Sequence, residues 1–205
     1  MIARATPSVD AWRFSLRRHA ELSSIRALMR HIITLLLQNE AGALARVAGM
    51  FSSRGYNIDS LSVAPTEDPL VSRLTLVTFG SDAVVHQIVQ QTRKVVDVVD
   101  IRDLSLTDHL ESELVLVKVR AAAGQGDAII ECAHRHGAVI LDDQDGIQVL
   151  KHSGTALEND LLINELTERA SLIELVRSGL AAIERGAACL SVPQTADAVE
   201  RSSQP

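Results

Sequence analysis

The period of apolar positions changes several times along this chain. "HIITLLLQ" is a continuous apolar run of strand length, as in a strand buried on both faces. In "ALARVAGMFSSRG", Leu44, Val47, Ala48 and Phe51 fall on one helical face, and Gly55 supplies the stop. "YNIDSLSVAP" and "VSRLTLVTFG" read as strands on either side of the turn "TEDP". "SDAVVHQIVQQTRK" places Val84, Val85, Ile88 and Val89 on a helical face, with Ser81 or Asp82 as N-cap. "VVDVVDIRDL" closes the unit as a strand. The order β-α-β-β-α-β is the ferredoxin-like arrangement.

The same order recurs. "ESELVLVKVRA" is a strand and "DAIIECAHRHG" a helix with a glycine stop. "AVILDD" and "GIQVLKH" form a hairpin around Asp145-Gly146. "ALENDLLINELTERA" is a helix carrying Leu157, Leu161, Leu162 and Leu166, and "LIELVRSG" a last strand. The pattern predicts an α+β protein with two tandem ferredoxin-like βαββαβ domains, 30–106 and 111–186. The polar segment "SLTDHLES" joins them. Residues 1–28 hold five arginines and only two acids and have no apolar period. An organelle transit segment has that composition. The simpler reading is an unstructured extension, because Met29 stands directly before the first patterned strand. Residues 192–205 are polar and aperiodic and read as a disordered tail.

Composition narrows the function. The chain has 205 residues, 46% hydrophobic and 22% charged, with a formal net charge of −6. That balance argues against nucleic acid as a partner, which needs clustered Lys and Arg. Aromatic residues, at 2%, are too few for base-stacking platforms. No run approaches the roughly 18 apolar residues that cross a bilayer. Cys132 and Cys189 form no CxxC pair and read as reduced thiols of a cytoplasmic protein.

Most candidate chemistry is weak. Gly124-Gln125-Gly126 has part of a dinucleotide fingerprint, but position 129 is Ile and a hairpin pattern follows. Cys132, His134 and His136 are potential ligands, yet residues two apart on a helix do not share a face. They read as groups at a helix C-terminus. "DDQDG" fails the calcium-loop register, which would place Leu141 first and His152 twelfth. His31 and His86 have no evident Ser or Cys partner. No metal site and no catalytic residue is expected.

The loop "QNEAG" is different. It joins the first strand to the first helix, whose N-terminus presents unpaired N–H groups to an anion. Gly42 permits close approach, and Asn39 can donate and accept. Asn57 could add a second wall if the first and third elements are adjacent. These requirements suit a small zwitterion, and an ordinary capped turn equally well.

"NEAGALARVAGMFSSRGYNIDSLSVAPTEDP" followed by "SRLT" closely resembles the start of the regulatory (small) subunit of acetohydroxyacid synthase, also called acetolactate synthase. The resemblance is strong over 30–106, an ACT domain, and weaker over 111–186. There "ELVLVKVRA", "LIELVRSG" and Arg185-Gly186 still match, but "HSGTALENDLLINEL" lacks the lysine of the family's T-G-x-x-x-K pattern. Family members start at a position matching Met29. The resemblance implies a non-catalytic subunit of branched-chain amino acid biosynthesis that activates a catalytic (large) subunit and confers feedback inhibition by valine. It implies no cofactor in this chain; thiamine diphosphate, Mg and FAD belong to the catalytic partner. It places the valine site at an ACT–ACT homodimer interface, with Asn39, Gly42, Ala43 and Leu44 from one chain and Asn57 and Ile58 from the facing one. The competing expectation is a stand-alone amino-acid-sensing regulator of another enzyme or of transcription. A cytoplasmic location follows unless 1–28 is a transit segment.

Overall fold

A computed structural model describes residues 30–122 and 124–192. The extension expected over 1–28 and the tail from 193 lie outside them. The first unit runs β1 (Arg30–Gln38), α1 (Ala43–Ser53), β2 (Ser60–Pro65), β3 (Val71–Phe79), α2 (Asp82–Thr92) and β4 (Val98–Asp103). Its antiparallel sheet has the order β2-β3-β1-β4. Residues 31–37 of the central strand β1 are all buried, as the unbroken apolar run predicts. Ile33, Leu35 and Leu37 face Ala43, Val47 and Phe51 of α1 and Val85, Ile88 and Val89 of α2. Complete burial of each large side chain contributes about 1.5–3 kcal/mol. Residues 182–192 group with this unit. They contact the opposite sheet face, where Thr34 lies.

The α1 face differs from the expected stripe. Ala43, Val47 and Phe51 are buried, whereas Leu44 is 36% exposed at its flank. His31, expected to be isolated, is buried between Gly80 O (3.1 Å from Nε2) and Ser105 Oγ (3.2 Å from Nδ1). Ser105 Oγ donates to Asp103 and accepts from Ile32 N. Its proton is therefore committed away from the imidazole, and the group fastens β1 to the exit of β4.

The second unit runs β5 (His109–Ala121), α3 (Gly126–His136), β6 (Val139–Gln144), β7 (Ile147–Gly154), α4 (Ala156–Arg169) and β8 (Ala170–Glu184). Its sheet order is β6-β7-β5-β8. β5 begins inside the stretch expected to be a linker. Asp145 and Gly146 take φ values of 53° and 72°, as a two-residue type I′ hairpin requires. α4 is rotated from the expected face: it buries Asn159, Leu162, Ile163 and Leu166, while Leu157 is 69% and Leu161 52% exposed. A capping box between Thr155 and Glu158 fixes its start.

Polar pairing explains the rotation. Asn159 is fully buried, donates to Glu113 O (3.1 Å) and accepts from His152 Nδ1 (2.7 Å). Arg177 closes the group on Glu113 and Asp160, each at 2.8 Å. Replacing Asn159 by Ala removes the partner of His152 Nδ1 and the side-chain donor to the Glu113 carbonyl. Asn159→Ala should lower the unfolding free energy by about 1–3 kcal/mol, and Leu157→Ala by less than about 0.5 kcal/mol. Urea titration of each variant checks the contrast. A larger loss at Leu157 would contradict this packing.

Candidate functional site

The loop after β1 is held at both sides. Gln38 N donates to Asp97 O and Asn39 N to Leu70 O, both at 2.8 Å. Asn39 Nδ2 donates to Pro69 O at 2.8 Å, which fastens the loop to the β2–β3 turn. One amide donor of Asn39 is thus engaged within the chain. Gly42 is the N-cap of α1, with φ 87° and ψ −11°, a left-handed conformation that favours glycine. It offers no side-chain acceptor to the helix. Ala43 N reaches Glu40 O and Arg46 N reaches Gly42 O, but neither Leu44 N nor Ala45 N finds an acceptor among the described residues. Two N–H groups and the positive end of the helix dipole therefore face outward.

Arg46, one turn into α1, fixes this geometry. Its Nε and Nη2 donate to the two carboxylate oxygens of Asp97 at 2.5 and 2.6 Å. Asp97 is 2% exposed. A Cβ at Gly42 would lie 3.0 Å from Arg46 Nη1, so the guanidinium fills the space beside the glycine. The sequence shows Arg46 within the quoted motif, but nothing there marks Asp97, 51 positions away, as its partner. The hydrogen bonds from Arg46 hold the Asp97 carboxyl below the usual carboxylate range.

The six expected site residues divide into two groups. Asn39, Gly42, Ala43 and Leu44 lie together; Ala43 is 1% exposed and serves the core, while the other three are accessible. Asn57 and Ile58 lie at the other end of the sheet. The expectation that β2 neighbours the loop in one chain fails because β3 stands between β1 and β2. Ser60 pairs with Val77, which pairs with Ile32, whereas the loop follows Gln38. Six residues of strand separate these levels, roughly 20 Å. Asn57 is exposed and its carbonyl accepts from Thr78 Oγ1 at 2.7 Å. Ile58 packs against its own domain's core.

The other candidates resolve into structure. Gly124-Gln125-Gly126 starts α3, and the antiparallel β6–β7 hairpin that follows leaves no dinucleotide crossover. Cys132 and His136 do share a face, four residues apart, and Glu165 of α4 joins them, their donor atoms within 4.8 Å. This grouping was hidden because the third member lies on another helix. It does not suit a cation: Glu165 already accepts from His136 at 2.6 Å and pairs with Arg135 and Arg169. Those hydrogen bonds and charges hold its carboxyl low, and two guanidiniums oppose further positive charge. No helix among the described residues is long and apolar enough to cross a membrane.

Two βαββαβ units, the first with an uncapped strand-to-helix junction, define a tandem ferredoxin-like protein of the ACT-domain class. The model described as the AHAS (acetohydroxyacid synthase) small subunit-like ACT domain matches residues 33–100. The one described as the small subunit of acetolactate synthase matches residues 112–186. The chain belongs to the acetolactate synthase small-subunit family. It is 44% identical over 158 residues to the acetolactate synthase small subunit of Haemophilus influenzae, covering 77% of this chain and 97% of that one. Identity to the isozyme 3 small subunit of Escherichia coli is 39% over the same coverage. The crystal structure of the Thermotoga maritima small subunit superposes with a TM-score of 0.70 at 28% identity, covering 78% of this chain and 99% of that one.

The Arg46–Asp97 pair has a testable pH signature. Its contribution is complete above the ordinary aspartate value of about 4. It is lost as pH falls through the lower value of the folded state. Asp97→Asn should therefore narrow its stability deficit against wild type as pH falls from 7 toward 3, read by urea midpoints. A deficit constant across that range would contradict the pair's role.

Proposed function

We propose that this chain is the regulatory subunit of acetolactate synthase, activating the catalytic subunit and making it sensitive to valine in branched-chain amino acid biosynthesis. The observation that carries this reading is the open N-terminus of α1 in a chain of this family. The valine carboxylate sits on the Leu44 and Ala45 N–H groups, at the positive end of the helix dipole. The free Oδ1 of Asn39 accepts from the ammonium group. Thiamine diphosphate, magnesium and flavin act in the catalytic partner.

The sheet order supplies the reason for a homodimer. β2 is an edge strand, and Leu61 and Val63 on its helix-facing side are 36% and 44% exposed. Such an edge is a template for pairing with a second copy. Antiparallel pairing of two β2 edges about a two-fold axis sets the start of each against the end of the other. The partner subunit's Asn57 and Ile58 then approach the loop that Asn39 fastens beside Pro69. One chain holds two half-sites roughly 20 Å apart, and a dimer completes both. Exposed Leu44 provides apolar lining. Selection of valine over alanine by its added methyl groups is worth about 1–3 kcal/mol.

Inhibition follows from linkage. Valine binds one arrangement of the regulatory dimer better, and that arrangement activates the catalytic subunit less. The catalytic subunit must alter valine affinity by the same factor.

In the reconstituted complex, Gly42→Asp puts a carboxylate beside Arg46 and the open helix N-terminus, where it competes with the effector's own. Asn57→His changes the polar group on the opposite wall. Each should raise the half-inhibitory valine concentration by at least about tenfold, a loss of some 1.4 kcal/mol, and leave activation within about twofold. Acetolactate formation titrated with valine is the readout. Wild-type inhibition in both variants would contradict the site.

A further inference from the structure

The sheet face opposite the helices of the first domain carries an unbalanced charge. The end of β8 and the residues after it cross this face as a strap. Arg102 Nη1 pairs with Glu184 at 2.9 Å, Arg185 Nε with Asp108 at 3.1 Å, and Ser191 N donates to Asp100 Oδ2 at 3.2 Å. Arg73 is treated differently. Its Nη2 donates to the carbonyl of Ala182 at 2.9 Å, and it has no carboxylate within ion-pair distance among the described residues. Burial makes its charged form less favourable. Arginine nevertheless stays protonated in proteins.

A small, partly enclosed cavity lies between sheet and strap, walled by Thr34, Arg73, Arg102, Glu184, Cys189 and Leu190, among others. Thr34 is 1% exposed and its Oγ1 has no hydrogen-bond partner among the described residues. A buried hydroxyl without a partner is costly, and the half-buried Arg73 guanidinium, without a counter-charge, borders the same space. Glu184, the acid in the cavity wall, is committed to Arg102. A water molecule would satisfy the hydroxyl but leave the charge uncompensated. A monovalent anion satisfies both, and the cavity, which is open on one side, admits a single small particle.

We propose that this cavity is a binding site for one chloride-sized anion, held by the Arg73 guanidinium and the Thr34 hydroxyl, which fastens residues 182–190 to the sheet. The site is separate from the loop at Gly42. A carboxylate or phosphate is too large while the strap is in place.

Crystals of the full chain grown or soaked in bromide test this directly. The expected result is an anomalous peak within hydrogen-bond reach of Arg73 and Thr34; water density without a peak there would overturn it. In solution, the thermal midpoint should rise and saturate as chloride replaces gluconate at constant ionic strength. Arg73→Gln should abolish that rise, and Cys189→Ser should keep it. A wild-type midpoint indifferent to the exchange would refute the site. Loss of the rise in Cys189→Ser would also refute it, because the effect would then depend on Cys189 rather than on Arg73 and Thr34.

Discussion

The bidentate contact from Arg46 to Asp97 organises the first domain at the end that carries the candidate site. It ties the first turn of α1 to the segment before β4, and the same Asp97 receives Gln38 through its carbonyl. One residue therefore anchors the end of β1 and the start of α1. Between these anchors the loop turns through Gly42 without a side-chain cap. A capping Ser or Asp would satisfy the first-turn N–H groups internally and close the site. The fold instead leaves Leu44 and Ala45 N–H open and recovers local stability through the ion pair.

The second constraint is topological. The order β2-β3-β1-β4 places the Gly42 loop and Asn57 at opposite ends of the sheet. A single chain cannot bring them together. In the dimer we propose, a symmetric pair of β2 edges does so and thereby links effector binding to assembly. An effector held across such an interface reports on the geometry of two copies, as control of another subunit requires.

Much of the fold was legible because periodicity reflects burial. β1 showed as a continuous apolar run, the hairpin at Asp145-Gly146 as a turn pair, and the repeat as a second βαββαβ order. Faces were harder. On α4 the apolar count favours Leu157 and Leu161, but the helix turns to bury Asn159, whose partners come from β5 and β7. Local pattern cannot register that pairing. The same holds for Asp97 under Arg46, and for Glu165 beside Cys132 and His136. The strap was illegible for another reason: "AAIERGAACL" has no period, and its role depends on which sheet face it meets. At the site itself, the open helix end was visible in the sequence, whereas the separation of Asn57 followed only from the strand order.

Mixing two inactive halves tests the shared site most directly. Gly42→Asp chains and Asn57→His chains, each insensitive to valine alone, are co-refolded or exchanged and reconstituted with the catalytic subunit. In a mixed dimer one site carries both changes and the other carries neither. The account predicts that valine inhibition returns in the mixture in proportion to the mixed dimers formed. A mixture as insensitive as either variant alone would contradict a site built from two copies of this chain.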